Sequence, residues 1–237
     1  MINFAGRGIL LDIEGTTSSI AFVCEVLFPF AREYLEDYLR RHWDDLAVVR
    51  AREQIARDTA TTFPADMPNG LAPLVREVNR LMDADVKATG LKELQGLIWQ
   101  QGYLGGLLTS HVYPDVEPAL RQWVKQGLDV RVYSSGSVGA QRLFFGHTEA
   151  GNLLPLLRGH YDTTTGAKRD PESYRKIAAD MALAPEQVLF LSDVVPELDA
   201  AETAGLRTAL VVRPGNPPAP GQHPYPVITD FGQIKVG

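Results

Sequence analysis

The chain has 237 residues, of which 45% are hydrophobic and 22% charged, and its formal net charge is −6. That length is enough for one large hydrophobic core, or for a core domain that carries an inserted one. The acidic balance disfavours nucleic acids and anionic membrane surfaces as partners, and no apolar stretch approaches the roughly 20 residues of a membrane helix. A single cysteine and no visible signal peptide predict a reducing compartment such as the cytoplasm.

Short apolar runs that end in small or polar residues predict the buried strands of a parallel sheet. These runs cover residues 8–13, 128–134, 188–192 and 207–212, with a weaker one at 227–228. Helical patterns lie between them, at residues 116–126, 138–145, 171–181 and 197–204. Strands that alternate with helices predict an open α/β sheet.

Residues 22–113 show no convincing strand pattern. Segments 25–43, 46–60, 71–88 and 91–108 are rich in helix-forming residues, with apolar residues three or four apart, and 58–70 has the composition of a loop. We therefore predict a helical cap of residues 22–113, inserted into an α/β core of residues 1–21 and 114–237. Cys24, near the start of the insertion, has no activating neighbour in the sequence, and we expect it to be buried and inert.

Carboxylates follow two of the predicted strands. Asp12 ends the first strand with Glu14 two residues later, and Asp193 follows the strand at 188–192. Ligands bind outside the carboxyl ends of strands in open α/β sheets, and paired carboxylates there suit a hard cation such as Mg²⁺. Asp is also a common turn residue, so Asp12 and Glu14 taken alone are equally compatible with a capped turn.

Hydroxyls and a lysine follow the other strand ends. Ser134 and Ser135 precede a predicted helix, where hydroxyls and backbone N–H groups can bind an anion, although either serine can instead be an ordinary helix cap. Lys168, in a loop before the next helix, can hold a phosphate as a point charge or simply be solvated. Two carboxylates, a pair of serines, a lysine and another carboxylate therefore follow successive strands along the chain. Helix caps alone do not readily explain this arrangement.

Together these motifs resemble those of the haloacid dehalogenase superfamily of phosphohydrolases, and more closely those of the enolase-phosphatases of methionine salvage. The motifs are DIEGT, SSGS, the loop lysine and SDV; further similar segments are LLDIEGTTSSIAFV, LFPFARE, LQGLIWQ, VYSSGSVGAQRLFFGH, ESYRKIA and VVRPGN. They are spread over nearly the whole chain. The wider superfamily usually has Asp at the position of Glu14, whereas the enolase-phosphatases share the Glu.

The resemblance implies a Rossmann-like parallel sheet core of the haloacid dehalogenase type with an inserted helical cap. It implies that Asp12 is a nucleophile that forms an aspartyl-phosphate and that Glu14 is the general acid and base. It also implies a Mg²⁺ ion held by Asp12, by Glu14 through its main-chain carbonyl, and by Asp193. By the same resemblance, the substrate-binding residues are Ser134, Ser135 and Lys168.

The implied substrate is a small phosphorylated diketone, 2,3-diketo-5-methylthiopentyl-1-phosphate. Enolisation and loss of phosphate would give the acireductone 1,2-dihydroxy-3-keto-5-methylthiopentene, with a base that the sequence does not identify. The alternatives are a Mg²⁺-dependent phosphatase of the same superfamily for another small phosphoester, and a phosphate-binding module without turnover. The sequence contains no coiled-coil heptad, and we expect a monomer.

Overall fold

The structure is a computed structural model that describes residues 1–218 and 221–237. The chain divides into two compact units, one of Met1–Val23 with Thr109–Gly237 and the other of Cys24–Leu108. Within the described ranges, no helix has the length and apolar character needed to cross a membrane.

The first unit is built on a parallel sheet. In chain order the strands are β1 (Ile2–Phe4), β2 (Gly8–Leu11), β3 (Asp129–Tyr133), β4 (Gly159–Tyr161), β5 (Val188–Ser192), β6 (Arg207–Val211), β7 (Val227–Ile228) and β8 (Ile234–Val236). Six of them form one sheet in the order β4-β3-β2-β5-β6-β7, while β1 pairs with β8. All of these pairs are parallel, so the predicted parallel α/β sheet is confirmed.

Helices connect the strands and form the second unit. In chain order they are α1 (Ile20–Phe22), α2 (Phe28–His42), α3 (Leu46–Thr59), α4 (Met67–Asp83), α5 (Thr89–Leu104), α6 (Val116–Lys125), α7 (Val138–Gly146), α8 (Pro171–Asp180) and α9 (Val195–Thr203). A π-helix at Val23–Leu27 joins α1 to α2, and the described residues contain three short 3₁₀ turns, at Leu154–Leu156, Pro185–Gln187 and Phe231–Gln233. Helices α2 to α5 belong to the second unit.

The central strands β2 and β5 lie inside the core of the first unit. Every residue of both strands is buried, because helices of a parallel α/β fold cover both faces of the sheet. On one face, Tyr174 of α8 and Leu198 of α9 pack with Leu10 and Phe190 of these strands. Burial on both faces explains why the strands read as continuous apolar runs rather than as alternating ones.

The second unit has a core of its own, made by one face of each helix. Its fully buried side chains include Leu39 of α2, Ile55 of α3, Leu74 of α4 and Leu94 of α5. These apolar faces follow the spacing of three or four residues that predicted helices here.

Apart from shifts of a few residues at the ends of other elements, the structure differs from the sequence prediction at three places. Helix α4 begins at Met67 rather than at residue 71 and ends at Asp83 rather than at 88, because Asp66 caps it and Pro68 lies in its first turn. Strands β1, β4 and β8 were not predicted, since each is short and mixes polar with apolar residues and so gives no apolar run. The prediction that Cys24 is buried is wrong, because this thiol is exposed.

Helices α3 and α5 approach closely at Gly90. A Cβ atom there would lie 2.4 Å from the backbone nitrogen of Ile55, whereas one at Gly96, on the same helix, would meet no atom within 4 Å. We expect Gly90→Ala to lower the free energy of unfolding by about 1–3 kcal/mol through overpacking. The matched Gly96→Ala should raise it by about 0.5–1 kcal/mol, because alanine restricts the unfolded chain. Urea unfolding measures the free energy of unfolding of both variants. If the two substitutions changed it equally and in the same direction, the close approach at Gly90 would be contradicted.

Candidate active site

The sheet brings the ends of β2, β3 and β5 together. Leu11 is in register with Val132 on one side and with Leu191 on the other. Each of these strands therefore ends at the same edge of the sheet. Asp12, the serines that follow β3, and Asp193 are delivered to this edge by three adjacent strands.

Asp12 is a buried carboxylate, only 5% exposed. Its Oδ1 accepts a hydrogen bond from the Ile13 N–H at 2.7 Å, and its Oδ2 accepts one from the Ser192 hydroxyl at 3.3 Å. The ammonium nitrogen of Lys168 lies 2.7 Å from Oδ1. These donors and this positive charge offset the cost of removing a carboxylate from water.

Lys168 bridges two carboxylates. Its Nζ lies 2.7 Å from Asp12 Oδ1 and 2.6 Å from Glu197 Oε2. Burial alone lowers the pKa of Lys168, but the negative charges of Asp12 and Glu197 outweigh it and hold the pKa above its usual value. The structure therefore places a charged lysine at the strand ends, not the solvated loop lysine of the alternative interpretation.

Three side-chain hydroxyls fix the loop that presents Lys168. They donate to three successive main-chain carbonyls: Tyr133 Oη to Gly166 at 2.8 Å, Ser173 Oγ to Ala167 at 2.9 Å, and Tyr174 Oη to Lys168 at 2.6 Å. Because β3 and α8 carry these hydroxyls, the position of the lysine is set by rigid elements rather than by its loop.

Glu197 is a residue that the sequence interpretation left out of the site. It lies in the first turn of α9, and its carboxylate accepts a hydrogen bond from the Ser192 hydroxyl at 3.1 Å. Burial, and then the negative charge of Asp12, raise its pKa to about 7. The available signal was its position in the first turn of the helix that directly follows Asp193.

Asp193 is a second carboxylate of the site whose pKa is raised. Burial, followed by the charge of Asp12, raises its pKa to about 7. Its Oδ1 is buried and accepts no hydrogen bond from the described residues. A buried acceptor without a donor is rare in native proteins and points to an ion or a water that it would bind.

Gly15 allows the loop after β2 to approach Asp193. Its φ is +69°, and a Cβ atom there would lie 2.2 Å from Asp193 Oδ2. A glycine satisfies both the left-handed backbone and the close contact. The Asn216 side chain joins the same two groups, since its Nδ2 donates to the Gly15 carbonyl at 2.8 Å and to Asp193 Oδ2 at 3.4 Å. Neither residue was included among the predicted site residues.

Glu14 differs from its neighbours because its side chain is exposed. Its backbone forms a β-bridge with Ser18, and the next N–H, that of Gly15, donates to the Ser18 carbonyl at 2.8 Å. A fixed backbone with an exposed carboxylate suits a residue that exchanges protons with a bound ligand.

The serines after β3 occupy different environments. Ser134 is buried and its Oγ accepts a hydrogen bond from the Gly136 N–H at 3.3 Å, whereas Ser135 is exposed. The side chain that caps α7 is Ser137, whose Oγ accepts from the Ala140 N–H. The alternative in which Ser134 or Ser135 is the helix cap is therefore wrong.

The oxygens at these strand ends fit a hydrated divalent cation. Asp12 and Asp193 offer carboxylates, and the backbone at Glu14 offers a carbonyl. No cluster of three or more His, Cys, Asp or Glu side chains suited to a metal occurs in residues 1–218 or 221–237. Mg²⁺ commonly takes only one or two carboxylates and keeps several waters, so this donor set suits Mg²⁺ better than a metal that needs a cage of side chains.

Comparisons with known proteins agree on one family. A family profile described as haloacid dehalogenase-like hydrolase matches residues 7–205. The enolase-phosphatase E1 of Citrobacter koseri is 49% identical over 211 residues, which are 87% of this chain and 88% of that protein. The enolase-phosphatase E1 of Pseudomonas aeruginosa is 46% identical over 230 residues, which are 97% of this chain and 98% of that protein.

A solved structure is also similar over most of the chain. The crystal structure of the Unknown transcript 4 protein of Saccharomyces cerevisiae superposes with a TM-score of 0.79 at 34% identity, and the match covers 95% of this chain and 98% of that chain. The likeness therefore includes both the sheet and the helical insertion.

The raised pKa of Asp193 predicts how stability depends on pH in metal-free protein. Its folded pKa of about 7 exceeds the ordinary 3.8, so the folded state holds an extra proton and the carboxylate lowers stability as pH rises from about 4 to 7. Asp193→Asn removes this loss. We expect the gain in stability of the variant over the wild-type protein to be about 1–2 kcal/mol larger at pH 8 than at pH 5.

Chemical unfolding at both pH values, in the presence of EDTA, measures the effect. Asp44→Asn is the matched control, because Asp44 is an exposed carboxylate of the second unit and should leave the pH dependence unchanged. A stability difference between Asp193→Asn and wild type that is the same at pH 5 and pH 8 would contradict the assignment.

Proposed function

Because this chain belongs to the haloacid dehalogenase-like hydrolases, and within them to the enolase-phosphatase E1 family, we propose that it enolises 2,3-diketo-5-methylthiopentyl-1-phosphate and removes its phosphate. The product is 1,2-dihydroxy-3-keto-5-methylthiopentene. The motif-based prediction of an enolase-phosphatase, a phosphohydrolase of methionine salvage, is confirmed by these relatives. The observation that carries the chemistry is the buried Asp12 carboxylate paired with Lys168 at the end of a central strand.

Asp12 is the nucleophile of the phosphatase step. A carboxylate oxygen of Asp12 attacks the phosphorus atom, the bond from phosphorus to the ester oxygen breaks, and an aspartyl-phosphate forms. Glu14 gives a proton to the leaving oxygen. Glu14 then removes a proton from the water that attacks the aspartyl-phosphate, which returns Asp12 and inorganic phosphate. The exposed side chain of Glu14 suits this exchange with substrate and water.

Lys168, Ser134 and Ser135 bind the phosphoryl oxygens. Phosphoryl transfer depends mainly on positioning and on neutralising charge, because the transferred group carries its charge on three oxygens. The ammonium group of Lys168 supplies positive charge next to the nucleophile, and the two serines supply hydroxyl donors and backbone N–H groups ahead of α7.

Asp12, Asp193 and the main-chain carbonyl of Glu14 hold Mg²⁺ in this proposal. When bound, the ion neutralises the phosphate charge and polarises the substrate carbonyl, which makes the neighbouring C–H group more acidic. The support in the structure is the buried, unpartnered Oδ1 of Asp193 beside the carboxylate of Asp12.

Enolisation requires a base for the proton next to the carbonyl. Glu14 is one candidate and a residue of the helical insertion is the other. We further propose that residues 22–113 act as the cap that excludes water from the reaction and holds the methylthio group. Excluding water matters because the enol must form before the phosphate ester is hydrolysed.

A two-channel assay tests the proposed reaction. We expect Mg²⁺-dependent turnover of the diketo phosphate in which the ultraviolet absorbance of the enol rises before or together with free phosphate. Both signals should disappear with EDTA and return with added Mg²⁺. Release of phosphate from generic esters, without turnover of the diketone, would instead favour a phosphatase for another small phosphoester.

Asp12→Asn tests the nucleophile. The amide is nearly isosteric but cannot form the acyl phosphate, so we expect phosphate release to fall by roughly three orders of magnitude or more. Acid-quenched wild-type enzyme should yield a phosphorylated peptide that contains Asp12, and the variant should not. Circular dichroism checks the fold, and Asp44→Asn serves as a variant with wild-type activity. Hydrolysis that survives in folded Asp12→Asn would refute the assignment.

A further inference from the structure

Two unpartnered oxygens lie on side chains that contact each other. Asp193 Oδ1 and Asn216 Oδ1 are both buried, and neither accepts a hydrogen bond from the described residues. The two side chains meet through Asn216 Nδ2, which lies 3.4 Å from Asp193 Oδ2. Since nearly all buried acceptors in native proteins have a donor, two of them on contacting side chains indicate a common donor or cation.

The orientation of the Asn216 amide is set by its neighbours. Nδ2 donates to the Gly15 carbonyl at 2.8 Å. A flipped amide would place Oδ1 against that carbonyl and against the Asp193 carboxylate, and an oxygen can donate to neither of them. The unpartnered atom is therefore an acceptor oxygen, and not an N–H group.

The segment that carries Asn216 is anchored by Arg213. This arginine is 4% exposed, and its guanidinium donates to both carboxylate oxygens of Asp115 at 2.8 Å. It also donates to the Thr16 carbonyl at 2.9 Å, within the loop that follows the nucleophile. The Asn216 N–H donates to the Arg213 carbonyl at 3.1 Å. The amide is thus held in place before any ligand binds.

We propose that Asn216 is a positioning residue of the cation site. Its Oδ1 accepts a hydrogen bond from a water bound to the ion, while its Nδ2 holds the loop of Gly15 and the carboxylate of Asp193 at a fixed spacing. The inference rests on the proposed function, in which Asp12 and Asp193 hold Mg²⁺. Substitution of residues that hydrogen-bond to the ligands of a metal typically lowers metal affinity by about 10- to 100-fold.

The test is calorimetric titration of the free enzyme with Mg²⁺ in the absence of substrate. We expect Asn216→Ala to weaken Mg²⁺ binding about 10-fold. Asn216→Asp should weaken binding less than Asn216→Ala does, because it keeps an acceptor oxygen for the ion's water although it loses the Nδ2 donor to Gly15. Pro217→Ala, an exposed change in the same segment, is the control and should bind as the wild type does.

The outcomes separate this inference from the function on which it rests. If wild-type enzyme binds Mg²⁺, Asp193→Asn abolishes binding and Asn216→Ala stays within twofold of wild type, the role of Asn216 is refuted alone. Equal weakening in Asn216→Ala and Asn216→Asp would refute the proposed role of Oδ1, since both variants lose the bond to Gly15 and only Asn216→Asp keeps an acceptor oxygen. If the wild-type enzyme itself binds no Mg²⁺, the proposed function fails first. Should Asn216→Ala not fold, Asn216→Ser replaces it.

Discussion

The site depends on one buried positive charge. Lys168 lies within 2.7 Å of Asp12 and within 2.6 Å of Glu197, and Asp193 belongs to the same electrostatic group. If all three carboxylates were ionised, those of Asp12, Glu197 and Asp193 would share the single ammonium group of Lys168 in a largely buried site. The ammonium group of Lys168 offsets the cost of burying this cluster of carboxylates, whereas burial and the charge of Asp12 raise the pKa of Asp193 and of Glu197 to about 7.

The arrangement of the sheet explains why this charge group can exist at all. Strands β2 and β5 are buried throughout, and their ends are held at one level by the register of Leu11 with Leu191. The hydrophobic free energy of burying these strands supports the unfavourable collection of like charges at their ends. The hydroxyls of β3 and α8 that fix the Lys168 loop extend the same principle, since packed elements determine where the charges lie.

The sequence predicted the central parts of this arrangement for a physical reason. A buried parallel strand is a continuous apolar run, so its end is visible, and a ligand site lies beyond that end. Asp12 and Asp193 could be placed in this way, and the strands at 188–192 and 227–228 were predicted with the bounds that the structure has. The three-residue strands were not predicted because only one residue of each is buried, so none of them gives an apolar run.

What the sequence did not reveal were contacts between distant segments. Asn216 comes from the loop after β6 and meets Gly15 near the other end of the chain, and no local pattern marks such a pair. Glu197 has the usual position of a helix-favouring acid in a first turn, so its second role, as a partner of Lys168, becomes evident only when α9 and the Lys168 loop are seen together. Helix propensity and site chemistry select the same residue type there, and a single sequence cannot separate them.

The charge balance also links the two ligands of the proposed reaction. A phosphate monoester brings negative charge to a site where Asp193 and Glu197 already resist ionisation. One lysine cannot neutralise both the substrate and the carboxylates, so phosphate and a divalent cation should each favour the binding of the other, by an equal coupling free energy. In the proposed reaction, the need for a divalent cation therefore follows from how the carboxylates and Lys168 are packed at the strand ends.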